Sequence, residues 1–349
     1  MGTIWFCLVA IMIVMYVLLD GFDLGAGAIH LAVAKTDEER RQVLASIGPV
    51  WDGNEVWLVA AGGTLYFAFP ALYASGFSGF YLPLMIVLWL LILRGASIEF
   101  RNHIKSAVWD PLWDFLFCAS SLLLAVFYGA ALANVVRGVP LDASGYFFEP
   151  LWTNFRLGEK TGILDWYTIL IGVLALLALV MHGGLWVQMK TRSKVSERAG
   201  KFSGRAWWGV VALTAIVTAV SFRVQPQIKE NFTAWPWGFV FPLLAVAGAA
   251  GVQFELRRKD ERKAFFASCA YLAGMLTSVV FGVYPMVLPA RNPVYSLTVN
   301  GAKAGDYGLK VGAIWWTIGI ILAASYFTFV YRSFSGKVDV KADSHGHQH

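Results

Sequence analysis

Apolar residues along this chain are grouped into nine runs of about twenty residues, separated by polar connections. A helix of that length spans the roughly 30 Å hydrocarbon core of a bilayer, where backbone groups must be paired within their own segment. Each run is therefore predicted to be a transmembrane helix, and the chain an all-α, polytopic membrane bundle. The predicted spans are 5–34, 54–73, 77–97, 112–135, 163–189, 204–222, 237–256, 264–284 and 311–331.

The polar segments complete this organisation. Residues 1–334 are predicted to form a single transmembrane domain, and 335–349 a disordered polar tail whose three histidines are not expected to hold a metal. The charged stretch after the first span begins with Thr36, and Glu39 follows three residues later. This spacing is typical of a capping box, so a short helix is predicted outside the membrane.

Charge distribution predicts the orientation. Of the 28 Lys and Arg residues, 20 lie in or beside the connections after spans one, three, five and seven and in the tail, and 8 lie on the other side. The positive-inside rule then places the N-terminus outside and the C-terminus in the cytoplasm. The two long connections, 136–162 and 285–310, are expected to face outward. The first 34 residues contain no Lys or Arg, so a cleaved signal peptide is not expected.

Composition supports a membrane protein. Hydrophobic residues make up 58% of the chain, charged residues 14%, and the mean hydropathy is +0.60, which leaves too few charges to cover a soluble protein of this size. The net charge of +6 does not indicate nucleic-acid binding, because the basic residues are spread between apolar runs. The cysteines Cys7, Cys118 and Cys269 lie within apolar runs, without metal or disulfide spacing, and are interpreted as packing residues.

Two carboxylates in the first span are the strongest functional candidates, because ionisable groups inside a bilayer are costly. Asp20 and Asp23 are three residues apart, so they share one helical face. Gly21 and Gly25 between and beside them form a GxxxG unit, which predicts close packing against a neighbouring helix.

Further polar candidates lie at the same predicted depth on neighbouring segments: Asp52, Asn54, Glu55, Arg94, Glu99 and His30. One interpretation is a cytoplasmic proton pathway, with Asp20, Asp23 and Asp52 as main stations and Glu55 and Glu99 as auxiliary ones. In it, Arg94 could hold one acid ionised, and Asn54 and His30 support the cluster. The other interpretation is an ion-pair and capping cluster that only holds the spans together. The sequence leaves both open.

Redox chemistry has weak support in this chain. Only His30 and His182 lie in predicted spans, and His182 is followed by two glycines that would let a flat ring approach. His182 is therefore a weak candidate for a haem ligand. We expect no metal and no catalytic residue in this chain, and no pattern typical of hydrolases or phosphate binding occurs.

The segments that carry these candidates resemble subunit II of cytochrome bd-type quinol oxidases over nearly the whole chain. The motifs are Leu19–Gly25, Gly48–Leu58, Ala61–Gly63 with Phe69-Pro70, Arg94 with Glu99–Arg101, and Pro285–Pro289. Residues 162–167, Gly-Ile-Leu-Asp-Trp-Tyr, are similar to the branch that includes cyanide-insensitive oxidases.

The resemblance implies a respiratory complex in the bacterial inner membrane. Its subunit I partner would hold two b-type haems and one d-type haem, oxidise quinol near the outer face and reduce oxygen to water. Subunit II would form a heterodimer with it, carry no redox centre, and contribute a cytoplasmic proton route. It can also hold a structural quinone, for which Trp51 and Trp57 are the nearest candidates. Small single-span subunits would complete such a complex.

Two alternatives remain at the level of sequence. A proton-coupled secondary transporter would also contain intramembrane acids and helices broken by Gly and Pro, although no inverted repeat is evident. A visible spectrum of the purified complex separates the two, because haem bands indicate the oxidase. The third interpretation is a purely structural assembly subunit with no proton route.

The charge distribution predicts the topology. Reporter fusions at Ala143 and Ser196 are expected to report the outer side and the cytoplasm respectively, because these residues lie in connections of opposite charge bias. Paired reporters that are active in the periplasm and in the cytoplasm measure this. Both positions on one side would contradict the predicted spans.

Overall fold

The computed structural model describes residues 1–104, 106–158 and 161–338, so most of the predicted tail lies outside the described residues. The described chain is helical almost throughout. Its helices are α1 (Gly2–Val33), α2 (Asp37–Ile47), α3 (Trp51–Ala68), α4 (Pro70–Gly79), α5 (Tyr81–Phe100), α6 (Trp109–Arg137), α7 (Trp166–Lys190), α8 (Ser193–Val224), α9 (Pro226–Ala234), α10 (Val240–Arg258), α11 (Glu261–Val283), α12 (Val299–Ala302) and α13 (Asp306–Ser333). Short 3₁₀ turns cover Pro236–Phe239 and Pro293–Tyr295. Strands β1 (Met286–Leu288) and β2 (Leu297–Thr298) form a small antiparallel sheet. The all-α prediction is confirmed.

Eight of the described helices are long and apolar enough to cross a membrane: α1, α5, α6, α7, α8, α10, α11 and α13. They correspond to eight of the nine predicted spans. The remaining predicted span, 54–73, begins in α3, an 18-residue helix that ends before Phe69. Three polar side chains in the first turn and a half of α3 lower its hydropathy, and Pro70 opens the separate helix α4. The multi-pass architecture is confirmed with eight candidate spans among the described residues, and the ninth predicted span is not among them.

Helix α2 begins with the predicted capping box. The Thr36 hydroxyl accepts a hydrogen bond from the Glu39 amide at 3.3 Å, and the Glu39 carboxylate accepts one from the Thr36 amide at 3.3 Å. Both bonds pair amides that would otherwise be unsatisfied at the helix start. This prediction from the sequence is confirmed.

Helix α1 lies at the centre of the bundle and packs against α3, α6, α7 and α11. At Gly25 the backbones of α1 and α7 are in direct contact, since an added methyl group would overlap the Leu179 carbonyl oxygen and lie 2.8 Å from the Gly183 Cα. A methyl group on Gly27 would likewise overlap Ser121 of α6. The predicted close packing of this glycine-rich segment is confirmed.

The two long connections meet at one end of the bundle. The Val139 amide donates to the Pro289 carbonyl at 3.0 Å, and the Arg291 amide donates to the Val139 carbonyl at 2.9 Å. The Ala304 amide donates to the Ala68 carbonyl at 2.8 Å, which fastens the second connection to the end of α3. Both connections therefore lie on the same side, as their predicted common orientation requires.

Ion pairs reinforce this end of the bundle. The Arg137 guanidinium contacts the carboxylates of Glu149, at 2.9 Å, and of Asp165, the residue that caps α7. It also donates to Asn134 Oδ1 at 2.7 Å, and Arg291 forms a second ion pair with Glu149. Burial raises the pKa of the Glu149 carboxyl, although the two arginines act to lower it. The acid is held in place by charges from both connections.

The contact between α1 and α7 generates a stability prediction. Replacing Gly25 by Ala should destabilise the protein by about 1–3 kcal/mol, because the added methyl group overlaps backbone that cannot move away. Gly204→Ala is the matched control, since no atom lies within 4 Å of a methyl group at that helical position. Thermal unfolding of the purified protein in detergent measures both. An equal effect of the two variants would contradict the packing described for Gly25.

Candidate functional site

The centre of the site is a buried ion pair between α1 and α5. Arg94 Nη1 donates to Asp20 Oδ2 at 2.8 Å, and Arg94 Nη2 donates to Asp20 Oδ1, so the contact is bidentate. Both side chains are 0% exposed. Parallel charge-assisted bonds of this kind fix geometry as well as charge. Asp20 is therefore held by a permanent cation, as the hypothesis for Arg94 anticipated.

Asp23 has a different environment, one turn further along α1. Asn54 Nδ2 of α3 donates to Asp23 Oδ2 at 2.7 Å, and the Tyr331 hydroxyl of α13 donates to Asn54 Oδ1 at 2.7 Å. Asp23 is 0% exposed, and its Oδ1 has no hydrogen-bond partner among the described residues. The hydrogen-bond partner of Asp23 among the described residues is a neutral amide, which does not compensate a buried negative charge.

Charge counting distinguishes the two acids. The buried cluster contains two carboxyl groups and one guanidinium, and the guanidinium is bonded to Asp20. A proton on Asp23 would make the cluster neutral, whereas an ionised Asp23 would leave one uncompensated negative charge away from water. Asp23 Oδ1 is the carboxyl oxygen open to that proton, because no group among the described residues donates a hydrogen bond to it.

Two further acids of α3 lie near this cluster and differ in exposure. Asp52 is exposed in the first turn of α3, and Glu55 is half-buried about one turn further along the same helix. Glu55 lies within electrostatic range of Asp52 on its exposed side. On its buried side it lies within range of the Asp20–Arg94 pair. The structure thus brings four of the five predicted acids into one sequence from exposed to buried.

Two predicted members of the cluster lie apart from it. Glu99 is exposed at the end of α5, where its backbone carbonyl accepts a bond from His103. His30 Nε2 lies 2.8 Å from Asp114 Oδ1 of α6, so its side chain belongs to a different network. Among the described residues, neither side chain forms a hydrogen bond or ion pair with Asp20 or Asp23.

This second network, centred on Asp114, was not predicted from the sequence. The Asp114 carboxylate accepts bonds from Arg101 Nε at 2.6 Å and from Arg40 Nη1 at 3.0 Å, in addition to its contact with His30. These partners come from α1, α2 and the end of α5. Asp114 lies within the predicted span 112–135, so the rule that singled out Asp20 would have found it. The contacts of Asp114 connect the ends of α1, α2, α5 and α6.

An exposed acid continues this network toward solvent. Arg101 Nη2 donates to Asp37 Oδ1 at 2.8 Å, and Arg41 donates to Asp37 Oδ2 at 2.6 Å. Partial burial acts to raise the pKa of Asp37, but the bonds and charges of the two arginines outweigh it and lower the pKa below its ordinary value. The network is therefore ionic from the surface to Asp114.

Two tyrosines extend the polar face of α1 beyond Asp20. The Tyr16 hydroxyl donates to the Tyr128 hydroxyl of α6 at 2.8 Å, and both rings are largely enclosed by the bundle. Tyr16 is one turn before Asp20, so the two share a helical face. This periodicity was present in the sequence, but the partner Tyr128 could be found only from the fold.

His182 is held entirely by neighbouring helices. Its Nδ1 lies 2.7 Å from the Ser268 hydroxyl of α11, and its Nε2 lies 2.9 Å from the Leu18 carbonyl of α1. The ring stacks on Phe265 with centroids 4.9 Å apart. Since both nitrogens already have partners, neither is available to iron in this arrangement. No group of three potential metal-ligating side chains occurs among the described residues.

The tryptophans suggested for a quinone lie on α3. Trp51 is half-buried, and its ring faces Gly95 of α5. Trp57 is 7% exposed, its ring centroid is 5.5 Å from that of Phe327, and its indole N–H has no acceptor among the described residues. A buried donor without an acceptor is unusual and suits a polar ligand.

Comparison with known proteins adds evidence of a different kind. Residues 1–334 match the profile of the family described as cytochrome bd terminal oxidase subunit II. The chain is 31% identical to a probable cytochrome oxidase subunit 2 of Haemophilus influenzae, over 96% of this chain and 94% of that protein. It is 30% identical to the cytochrome bd ubiquinol oxidase subunit 2 of Bacillus subtilis, over 89% of each chain. The bd-I ubiquinol oxidase subunit 2 of Escherichia coli K12 is 27% identical, over 98% and 97%.

The fold also matches a solved structure. A chain of the bd oxidase from Geobacillus thermodenitrificans superposes with a TM-score of 0.74 and 18% sequence identity, covering 95% of this chain and 98% of that one. At this identity the match concerns the fold. The arrangement of helices around α1 is therefore shared with a protein of a bd oxidase.

The different environments of the two buried acids predict different stabilities. Asp20→Asn should destabilise the protein by about 3–5 kcal/mol, because it leaves Arg94 buried without a counter-charge. Asp23→Asn should cost less than about 1 kcal/mol, because an amide keeps the shape of a side chain bonded to a neutral partner. Unfolding in detergent measures both. The double variant Asp20→Asn/Arg94→Met should recover part of the loss, and equal losses for the two single variants would contradict the assignment.

Proposed function

Because this chain belongs to the cytochrome bd terminal oxidase subunit II family, we propose that it carries protons from the cytoplasm toward the oxygen-reducing centre of its complex. Its relatives are subunits of ubiquinol oxidases, and the chain is accordingly part of a quinol:oxygen oxidoreductase. Reducing oxygen to water consumes protons, and a reaction site enclosed by helices cannot draw them through lipid. Polar side chains that reach from the surface into the bundle meet this need.

The observation that carries the proposal is the environment of Asp23. This acid is buried beside the Asp20–Arg94 ion pair, and its Oδ1 has no hydrogen-bond partner among the described residues. A proton entering at Asp52 passes Glu55 and is taken up at Asp23 Oδ1, where it removes the excess negative charge of the cluster. Asn54 and Tyr331 hold the carboxyl in position from its other oxygen. Asp20 is bonded to Arg94 through both of its oxygens, so they are less available to a proton than Asp23 Oδ1.

The partner that receives the proton is subunit I, and the faces of α3 and α13 are the proposed contact. α13 has a single buried residue, Leu309, and exposes a row of large apolar side chains. Such a face on a membrane helix suits either lipid or another helix. Tyr331 lies on α13 and is bonded to Asn54, so the buried acids are directly behind this face. The exposed apolar residues are Ile314, Trp315, Ile318, Ile321, Leu322 and Phe329.

The cofactors are proposed to lie in the partner. A complex of this family contains haem, whereas both nitrogens of His182 and one nitrogen of His30 already contact protein groups in this chain. We place two b-type haems and one d-type haem in subunit I, with the heterodimer in the bacterial inner membrane and small single-span subunits beside it. A structural quinone near Trp51 and Trp57 is supported by the unpaired indole N–H of Trp57.

Family membership decides between the two functional classes considered from sequence, and the transporter interpretation is set aside. Between a proton pathway and a purely structural cluster, the geometry favours the pathway at Asp23, since a structural acid would be fully bonded. Asp20 satisfies the structural interpretation, because its two oxygens are occupied by Arg94.

The proposal is tested with Asp23→Asn and Asp52→Asn in the purified oxidase complex. Asparagine keeps size and hydrogen bonding but cannot carry a proton, so quinol oxidase turnover should fall by at least about tenfold for Asp23→Asn. Oxygen consumption with a soluble quinol measures turnover, and haem content confirms assembly. The matched control is Glu38→Gln, which removes an exposed carboxylate of α2 on the same side of the bundle. Asp23→Asn and Asp52→Asn complexes with normal haem content and parental turnover would show that the acids are structural.

A further inference from the structure

A basic groove lies at the end of the bundle that carries α2, on the side formed by α7, α8, α10 and α11. Its volume is about 840 Å³. Its walls are the end of α7, the start of α8, the junction between α10 and α11, and the segment that follows α13. The charged residues that line it are Arg192, Glu197, Lys201, Arg257, Lys259, Glu261 and Lys337.

Two of the five cations in the groove are neutralised locally. Lys201 pairs with Glu197 at 2.6 Å, and Lys337 pairs with Glu261 at 2.6 Å. The other three, Arg192, Arg257 and Lys259, form no ion pair among the described residues and are exposed to the groove. The groove therefore has a net positive charge contributed by side chains from two helix ends, which attracts an anion.

The floor of the groove is built by specific contacts. The Ser196 hydroxyl, which is 8% exposed, donates to the Gln188 carbonyl at 2.9 Å, and Lys337 Nζ donates to the same carbonyl at 3.3 Å. Gly200 makes room for the Gln188 side chain, since a methyl group there would lie 2.7 Å from its amide. The side-chain Oε1 of Gln188 is buried and has no donor among the described residues. The floor of the groove is therefore held in place by contacts within the protein.

The position of the groove fits the headgroup level of a membrane. It lies where the membrane helices α7, α8, α10 and α11 begin or end. The N-terminus of α8, a 32-residue helix, has no side-chain cap, so its first amides add to the attraction for an anion. Farther along α8 and α10, Trp208 and Phe254 are 64% and 56% exposed, which provides apolar surface for acyl chains.

We propose that this groove binds the headgroup of an anionic membrane phospholipid. The phosphodiester is held by Arg192, Arg257 and Lys259. The acyl chains lie along α8 and α10, which are fastened to each other by the bond from Trp207 Nε1 to the Ala249 carbonyl at 2.7 Å. The site is remote from the acids of α1 and does not depend on the proposed proton route.

The test uses the purified oxidase complex in detergent and a fluorescent phosphatidylglycerol as the probe. The triple variant Arg192→Gln/Arg257→Gln/Lys259→Gln should bind the probe on the order of 100-fold more weakly than the parent. Each basic residue near a membrane surface contributes about fivefold to the binding of an anionic lipid, and three are removed. The matched control is Arg258→Gln/Arg262→Gln/Lys263→Gln, which removes the same charge from adjacent positions outside the groove lining. It should bind within about threefold of the parent, because only long-range attraction is lost. Haem content and unfolding temperature confirm that both variants are folded.

Competition identifies the source of the phosphate. Unlabelled phosphatidylglycerol should displace the probe at concentrations where phosphatidylcholine and inorganic phosphate do not. Displacement by inorganic phosphate at matched concentration would show a site for a free anion and overturn the lipid proposal. Displacement by phosphatidylcholine, or equal weakening in the two triple variants, would overturn recognition by the three groove cations.

Discussion

The charge of Arg94 is the constraint on which the interior of this protein depends. A guanidinium that is 0% exposed within a membrane bundle requires a counter-charge, and Asp20 supplies it with both oxygens. That pairing fixes α5 against α1. It also leaves Asp23 without a cation, so this acid relies on the amide of Asn54. The distinct chemistry of two acids three residues apart follows from one arginine.

Close packing of α1 makes this arrangement rigid. Gly25 allows the α7 backbone to touch α1, and Gly27 allows α6 to approach from another direction. With no room for α1 to rotate, its polar face is held toward α3 and α5. His182 of α7 adds hydrogen bonds to Ser268 of α11 and to the Leu18 carbonyl of α1. The small residues and this histidine thus position the acids of α1 within the bundle.

Much of this could be predicted from the sequence because the relevant signals are local. The spans follow from run length, the capping box from Thr36 and Glu39, and the shared face of Asp20 and Asp23 from helical periodicity. Partners on distant helices could not be predicted in this way. Tyr331 reaches Asn54 across 277 residues of chain, and no local pattern marks that contact. Asp114 lies within a predicted span, so the rule for intramembrane charges would have identified it, although not its partners on other helices.

The depth of Asp23 has a consequence for energy conversion. Ten residues separate it from the end of α1 at Val33, so a rise of 1.5 Å per residue places it about 15 Å along the helix from that end. In the predicted orientation, a proton that reaches Asp23 from the cytoplasm by the proposed route moves against part of the membrane potential. Crossing the whole potential costs about 2.3 kcal/mol per elementary charge for each 100 mV, and uptake at Asp23 is opposed by the fraction crossed at its depth. Under the proposed route, loading this carboxyl is an electrogenic step that the membrane voltage opposes.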